Sequence, residues 1–340
     1  MQKTLIALLL TFPFSLASAD EIKFYNWEEY LDEEVIAAFT EETGHTVKQY
    51  YFDDEGQRDA TLASGRGKGF DLVLMDSMTL RLMSEQGLFQ DISSIGNELQ
   101  SVLNSEHVEA CGSGGIPYTW GTMGILYRES VSKEPIHSWS QLFNPPEEHK
   151  GRVVMYLDAI DTNAAALLAL NTDPLTEDIE ELKKAYALLE QQKSSILEYG
   201  ATYSYASEHG DESRMSMALG YTGEEYNLEE ATGQDDWTYV VPDEGTLTWI
   251  ECLAIPSDTA ITNSTRAFIE YINRPEIAAR NAESIWVSTS NQAALPQTNE
   301  EYRSDLTLFP TSEILKNSHD YKILSPRGQS IRERMIDALR

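Results

Sequence analysis

Basic side chains are scarce in this sequence: 25 Lys and Arg stand against 56 Asp and Glu, a formal net charge of −31. So negative a chain repels nucleic acid and anionic lipid headgroups, which excludes both as partners, and attracts cationic solutes. Most of that charge reads as a solvated surface, so the sign alone does not choose a ligand. Cysteine is limited to Cys111 and Cys252. The pair is compatible with a disulfide in an oxidising compartment or with two buried thiols, since bridging depends on a Cα separation that spacing does not reveal. Histidine occurs only singly, at 45, 107, 137, 149, 209 and 319, and Gly-x-Ser-x-Gly is missing. The common metal-ligand and serine-nucleophile patterns are therefore absent, and nothing calls for a metal or cofactor. Long apolar runs are missing too, because residues 5–16 are interrupted by Thr11, Pro13 and Ser15 and fall short of the ~20 residues that span a bilayer.

What is present begins with an export signal: Lys3, that short apolar stretch, and Ala17-Ser18-Ala19 as a small-residue cleavage site. The expectation is a leader of residues 1–19, cleavage after Ala19, and a free periplasmic protein, since no cysteine follows for lipid attachment. About 320 residues then remain, more than one hydrophobic core usually organises, so two domains are expected. Strands at 21–26, 47–52 and 70–75 alternate with helices at 31–43, 57–64 and 78–86, which predicts a parallel α/β sheet. Gly112-Ser113-Gly114-Gly115 breaks the pattern before a first crossing and a strand at 125–127. A second α/β run follows, with strands at 153–156 and 216–221 and helices near 160–171 and 176–192. A strand at 247–255 is the candidate return crossing, and helices at 264–273, 276–284 and 328–339 complete the chain. Two α/β lobes joined by two crossings make a clamshell whose ligand site lies at the carboxyl ends of the strands.

Those strand ends share a chemistry. The first is followed by Asn26-Trp27-Glu28-Glu29-Tyr30, the third by Asp76, the strand at 153–156 by Asp158-Ala159-Ile160-Asp161, and the strand ending near 220 by Tyr221-Thr222-Gly223-Glu224-Glu225-Tyr226; the return crossing carries Trp249-Ile250-Glu251. Carboxylates read ammonium groups, while flat rings cover the methylenes between them and add roughly 0.5–2 kcal/mol of cation–π attraction per contact. A carboxylate–ammonium pair contributes ~4 kcal/mol at 4 Å and effective dielectric 20, less its desolvation. Acids in a first helical turn are also ordinary dipole partners, and Trp120, Trp139 and Trp237 read as core. Convergence at several strand ends is what favours a site for a linear polyamine. An acid/base pair at Asp158 and Asp161 and a ferric site of Tyr203, Tyr205, Tyr221 and Tyr226 are the rival readings; anion binding is disfavoured because these loops carry almost no Arg.

The motifs Phe24-Tyr25-Asn26-Trp27-Glu28-Glu29-Tyr30, Phe39-Thr40-Glu41-Glu42-Thr43-Gly44, Phe70-Asp71-Leu72-Val73, Ile116-Pro117-Tyr118-Thr119-Trp120-Gly121, Lys150-Gly151 and Leu253-Ala254-Ile255-Pro256 resemble, over nearly the whole chain after the leader, the bacterial spermidine/putrescine-binding proteins. The resemblance implies a periplasmic binding protein clamshell of type II, each lobe a mainly parallel sheet flanked by helices. The lobes would comprise 20–117 with 254–292 and 122–250 with 296–340, with hinge crossovers at 118–121 and 251–253. It implies ligand contacts at Trp27, Glu29, Tyr30, Asp158, Asp161, Tyr221, Trp249 and Glu251, with Glu28 beside them. The sequence departs from the family at Asp76, where a Ser is common, and at Trp286, which replaces a Tyr-containing segment. Tyr321 falls at a further polar contact. The implied ligand is a spermidine- or norspermidine-class polyamine and the implied protein a monomer that is not an enzyme. Its implied partner is an inner-membrane ABC permease or the periplasmic domain of a cyclic-di-GMP receptor.

Overall fold

The computed structural model describes residues 19–28, 30–52, 55–65 and 69–339. Residues 1–18, all of the expected leader but Ala19, lie outside the described residues, as does Glu29. Strand and helix alternate first: β1 (Glu21–Asn26), α1 (Glu33–Thr43), β2 (Thr46–Tyr51), α2 (Glu55–Ala63), β3 (Leu72–Asp76) and α3 (Ser77–Glu85). Helix α1 starts where the Asp32 carboxylate accepts the Glu34 N–H at 2.8 Å and stops at Gly44, whose φ of 77° suits a residue without Cβ. Strands β1, β2 and β3 are parallel neighbours, and the interior of β3 is buried on both faces, as its apolar sequence requires.

Two strands join this sheet to a second one. β4 (Gly115–Arg128) has 14 residues, roughly 47 Å at the usual rise, and takes part in both sheets. Its first half pairs antiparallel with β9 (Leu247–Ala254), which in turn pairs antiparallel with β3. Its second half pairs with β7 (Met217–Tyr221) and β8 (Trp237–Val240). β5 (Val153–Met155) lies parallel to β7 and to β6 (Ile196–Tyr199), giving the order β2-β1-β3-β9-β4-β7-β5-β6. The sequence predicts a break between residue 115 and the strand at 125–127; the backbone instead continues as one strand, because its glycines accept close neighbours rather than turn the chain.

Each lobe has its own core. One gathers Phe24, Phe39, Leu72, Leu74, Leu253 and Phe268, the other Ile125, Trp139, Val153, Leu167 and Leu219. β10 (Ser288–Thr289) returns to β4 in the first lobe, and Tyr302 donates its hydroxyl to the Val287 carbonyl, holding residues 300–309 against that lobe. β11 (His319–Asp320) then adds to β9 on the second-lobe side. Cys111 and Cys252 are joined in a disulfide, with Cα atoms 5.9 Å apart, which ties the end of the helix Ser105–Cys111 to β9. Among the described residues no helix is long and apolar enough to cross a membrane.

Candidate functional site

The first-lobe wall is built by β9 and its neighbours. Asp76 and Glu251 are cross-strand partners of β3 and β9, so both carboxylates leave the same face of the sheet. Two residues earlier on β9, Trp249 pairs with Gly121 of β4, and its ring lies against that glycine: a Cβ at 121 would fall 2.3 Å from the indole. From the end of β1 the Trp27 indole donates to Glu251 Oε1 at 3.1 Å and packs on Phe52, ring centroids 4.4 Å apart. Behind them sits Arg58 of α2, wholly buried, donating to Asp76 Oδ2 at 2.8 Å and to Asp59 Oδ1 at 2.9 Å, with its guanidinium carbon 5.2 Å from the Phe52 ring centroid. Asp76 Oδ1 meanwhile accepts the Thr79 N–H and caps α3. Both oxygens of Asp76, expected from sequence as an extra ligand acceptor, thus already have a donor. Glu28 is exposed.

The second-lobe wall centres on Asp161, at the start of the helix Asp161–Ala169 and 7% exposed. One of its oxygens accepts the Tyr321 hydroxyl at 2.6 Å and the other the Tyr221 hydroxyl. Asp158, by contrast, is exposed and turns its Oδ1 onto the N–H groups of Ile160 and Asp161 at 2.6 and 2.7 Å. It shapes the turn that presents Asp161, and no side-chain hydrogen bond links the two acids as a catalytic pair. Glu224 lies beside them, accepting from the Tyr156 hydroxyl and the Tyr221 N–H, both at 3.1 Å. Gly220 makes that possible, since a Cβ there would come within 2.5 Å of the Glu224 carboxylate. Glu225 is buried, with one oxygen accepting the Gly223 N–H at 3.0 Å.

Charges of both walls act on one phenol: withdrawal from water pushes the pKa of Tyr30 up, and Glu251 of the first wall and Glu224 of the second add to it. Burial likewise raises the Tyr321 phenol, with Asp161 and Asp158 and, from the first wall, Glu55 adding to it. Burial, with Asp158 adding repulsion, lifts the Asp161 carboxyl to about 7 against the pull of its two tyrosines. Withdrawal from water lifts Glu224 to about 7, and burial together with Asp305 lifts Glu225 to about 7. Burial also raises Glu251, opposed by the Arg58 guanidinium and reinforced by Asp76. Glu251 Oε2, Glu225 Oε1 and Trp249 Nε1 are buried with no protein partner among the described residues. An uncompensated carboxylate oxygen in such a place is costly, and a cation entering the gap relieves it.

Of the residues proposed from sequence, the fold brings Trp27, Tyr30, Trp249 and Glu251 to one wall, with Asp76 behind, and Asp161, Tyr221 and Tyr321 to the other. Trp286 donates its indole N–H to Asp305 at 3.0 Å and packs edge-on to Tyr302, with Tyr226 reaching it from the second lobe. Tyr203 is exposed and Tyr205 stacks on His209, so the tyrosines of the ferric reading do not gather around Tyr221. Trp139 and Trp237 are buried core, as their surroundings in sequence suggest. Sequence reasoning placed Glu224 and Glu225 among the strand-end acids without assigning them ligand contacts, and passed over Tyr156, the last residue of its expected strand. It also missed Arg58: the only local sign was a lone cation one helical turn after Glu55, and its acceptor Asp76 comes from another strand.

Residues 34–310 match the family described as bacterial extracellular solute-binding protein. The chain is 31% identical over 323 residues to a norspermidine sensor of Vibrio cholerae serotype O1, covering 95% of this chain and 89% of that protein. It is 27% identical over 316 residues to a spermidine/putrescine-binding periplasmic protein of Escherichia coli K12, covering 91% and 89%. A solved spermidine/putrescine ABC transporter substrate-binding protein of Streptococcus pneumoniae superposes with a TM-score of 0.84 at 24% identity, over 94% of this chain and 98% of that one, which establishes a shared fold.

Proposed function

Because this chain belongs to the bacterial extracellular solute-binding proteins, a family of binding proteins rather than enzymes, we propose that it captures a linear polyamine of the spermidine or norspermidine class between its lobes. One observation carries the reading: buried carboxylates on the two walls, each framed by rings, with Glu251 bound by Trp27 through one oxygen and unpartnered at the other, and Asp161 held by the phenols of Tyr221 and Tyr321. An ammonium at Glu251 is covered by Trp27 and Trp249, and an ammonium at Asp161 lies among Tyr221, Tyr321 and Tyr156. The methylenes between run along the rings. Several such contacts, net of desolvation, correspond to micromolar binding, about −8 kcal/mol.

Closure of the lobes on the ligand presents a new surface to a membrane partner. Two partners fit that role: an ABC importer in the inner membrane, and the periplasmic domain of a cyclic-di-GMP receptor. The likeness to a protein named a norspermidine sensor supports the second, and the likeness to transporter subunits supports the first. Several relatives are named periplasmic, and we place this protein in the same compartment.

Calorimetric titration with putrescine, spermidine and norspermidine tests the site. Asp161→Asn and Trp249→Ala are each expected to weaken binding at least tenfold, about 1.4 kcal/mol. Unchanged affinity in both variants removes the support for this cleft, and no binding of any of the three amines by the unaltered protein removes the polyamine reading itself.

A further inference from the structure

Asp76 and Glu251 stand directly opposite each other on β3 and β9. Like charges in that position repel, and Asp59 and Glu55 lie close by, so the first-lobe wall concentrates four acids. The protein supplies its own cation for them. Arg58 is wholly buried, bonds Asp76 and Asp59, lies 3.8 Å from Glu55, and rests on the Phe52 ring, which in turn touches Trp27, the partner of Glu251. Burial by itself disfavours a charged guanidinium, but the fields of Glu251, Glu55, Asp76 and Asp59 outweigh it and hold the proton firmly. A planar fork with several donors suits this role, because it can satisfy carboxylates from two directions at once.

We propose that Arg58 is a built-in cation that sets the number of ammonium groups the cleft accepts, a role that rests on the polyamine reading above and adds a determinant of specificity to it. By occupying Asp76, Asp59 and Glu55, the guanidinium stands where a further ligand ammonium would otherwise be drawn. The first-lobe wall then reads its guest through Glu251 alone, whose Oε2 remains without a partner among the described residues. The second-lobe wall contributes Asp161, Glu224 and Glu225. This distribution favours a triamine over a tetraamine: a fourth ammonium pushed toward α2 meets a fixed positive charge instead of an acceptor.

The test compares putrescine, norspermidine and spermine by calorimetry on the mature protein. In Arg58→Met, of similar length but uncharged, the affinity for spermine relative to norspermidine is expected to rise at least tenfold, whereas Arg58→Lys keeps the wild-type ranking. Glu55→Gln, at a half-exposed position, is expected to move the same ratio the other way by about two- to threefold, since it removes a negative charge beside the guanidinium. Thermal melts establish which variants are folded. If Arg58→Met does not fold, Glu55→Gln decides. Ratios equal to those of the unaltered protein in every folded variant overturn the role of Arg58 while leaving polyamine binding intact. Binding of none of the three amines by the unaltered protein is the separate result that sinks both readings.

Discussion

Gly121 shows how one missing side chain organises the cleft. The Trp249 ring occupies the volume a Cβ would need, 2.3 Å from the nearest indole carbon, so a side chain at 121 requires the ring to shift. Gly121→Ala is therefore expected to turn the indole out of its seat, weakening polyamine binding at least tenfold and shifting tryptophan emission. Wild-type affinity with an unshifted spectrum contradicts the assignment of Trp249 to the cleft wall. Residue identity was legible for Trp249 and Glu251, because an aromatic and an acid on a crossing strand have few other uses together. Gly121 was read only as part of a family motif, since the clash it prevents involves a residue 128 positions later in the chain.

Strand β9 carries both the chemistry and the connection between lobes. Glu251 is followed directly by Cys252, so the disulfide to Cys111 anchors the strand one residue from a carboxylate of the site. Sequence left open whether the two cysteines were joined; the fold brings their Cα atoms to 5.9 Å across 141 residues. Closing so long a loop restricts the unfolded chain, and replacing both cysteines by serine is expected to lower unfolding stability by about 2–4 kcal/mol, measured by urea denaturation. An unchanged midpoint rules out a stabilising bridge. Helices with a capping acid and a terminal glycine, such as α1, were readable within a few residues. The two-residue strands β10 and β11 were not, because each is defined by its partner on β4 or β9 rather than by a pattern of its own.

Across the molecule, the cleft holds buried carboxyls whose proton affinity is raised, with Asp161, Glu224 and Glu225 each at about 7. In the unfolded chain these groups return to the ordinary carboxylate range, near 4. The folded protein therefore binds their protons more tightly, so their contribution to stability is fully present below that range and is lost as pH rises through about 7. The ligand-free protein is expected to lose thermal stability between pH 5 and 8 from this source, and bound polyamine to restore it. Capturing a polycation expels those protons, so affinity is expected to rise from pH 6 to 8. The calorimetric enthalpy should then vary with the ionisation enthalpy of the buffer. A flat affinity over that range, with no buffer dependence, places the titrating groups elsewhere.

Composition and periodicity carried the α/β alternation, the number of lobes, the sign of the charge and the kinds of side chain at the strand ends, because these depend on local preference and on which residues water rejects. They could not say which acids remain open to a guest. Asp76 and Asp161 look alike as single letters, yet one is bound to Arg58 and a helix terminus while the other is held by two phenols in the gap between lobes. That distinction arises from contacts between segments far apart in the chain, and a carboxylate's charge, hydration and availability follow from those neighbours rather than from its place in the sequence.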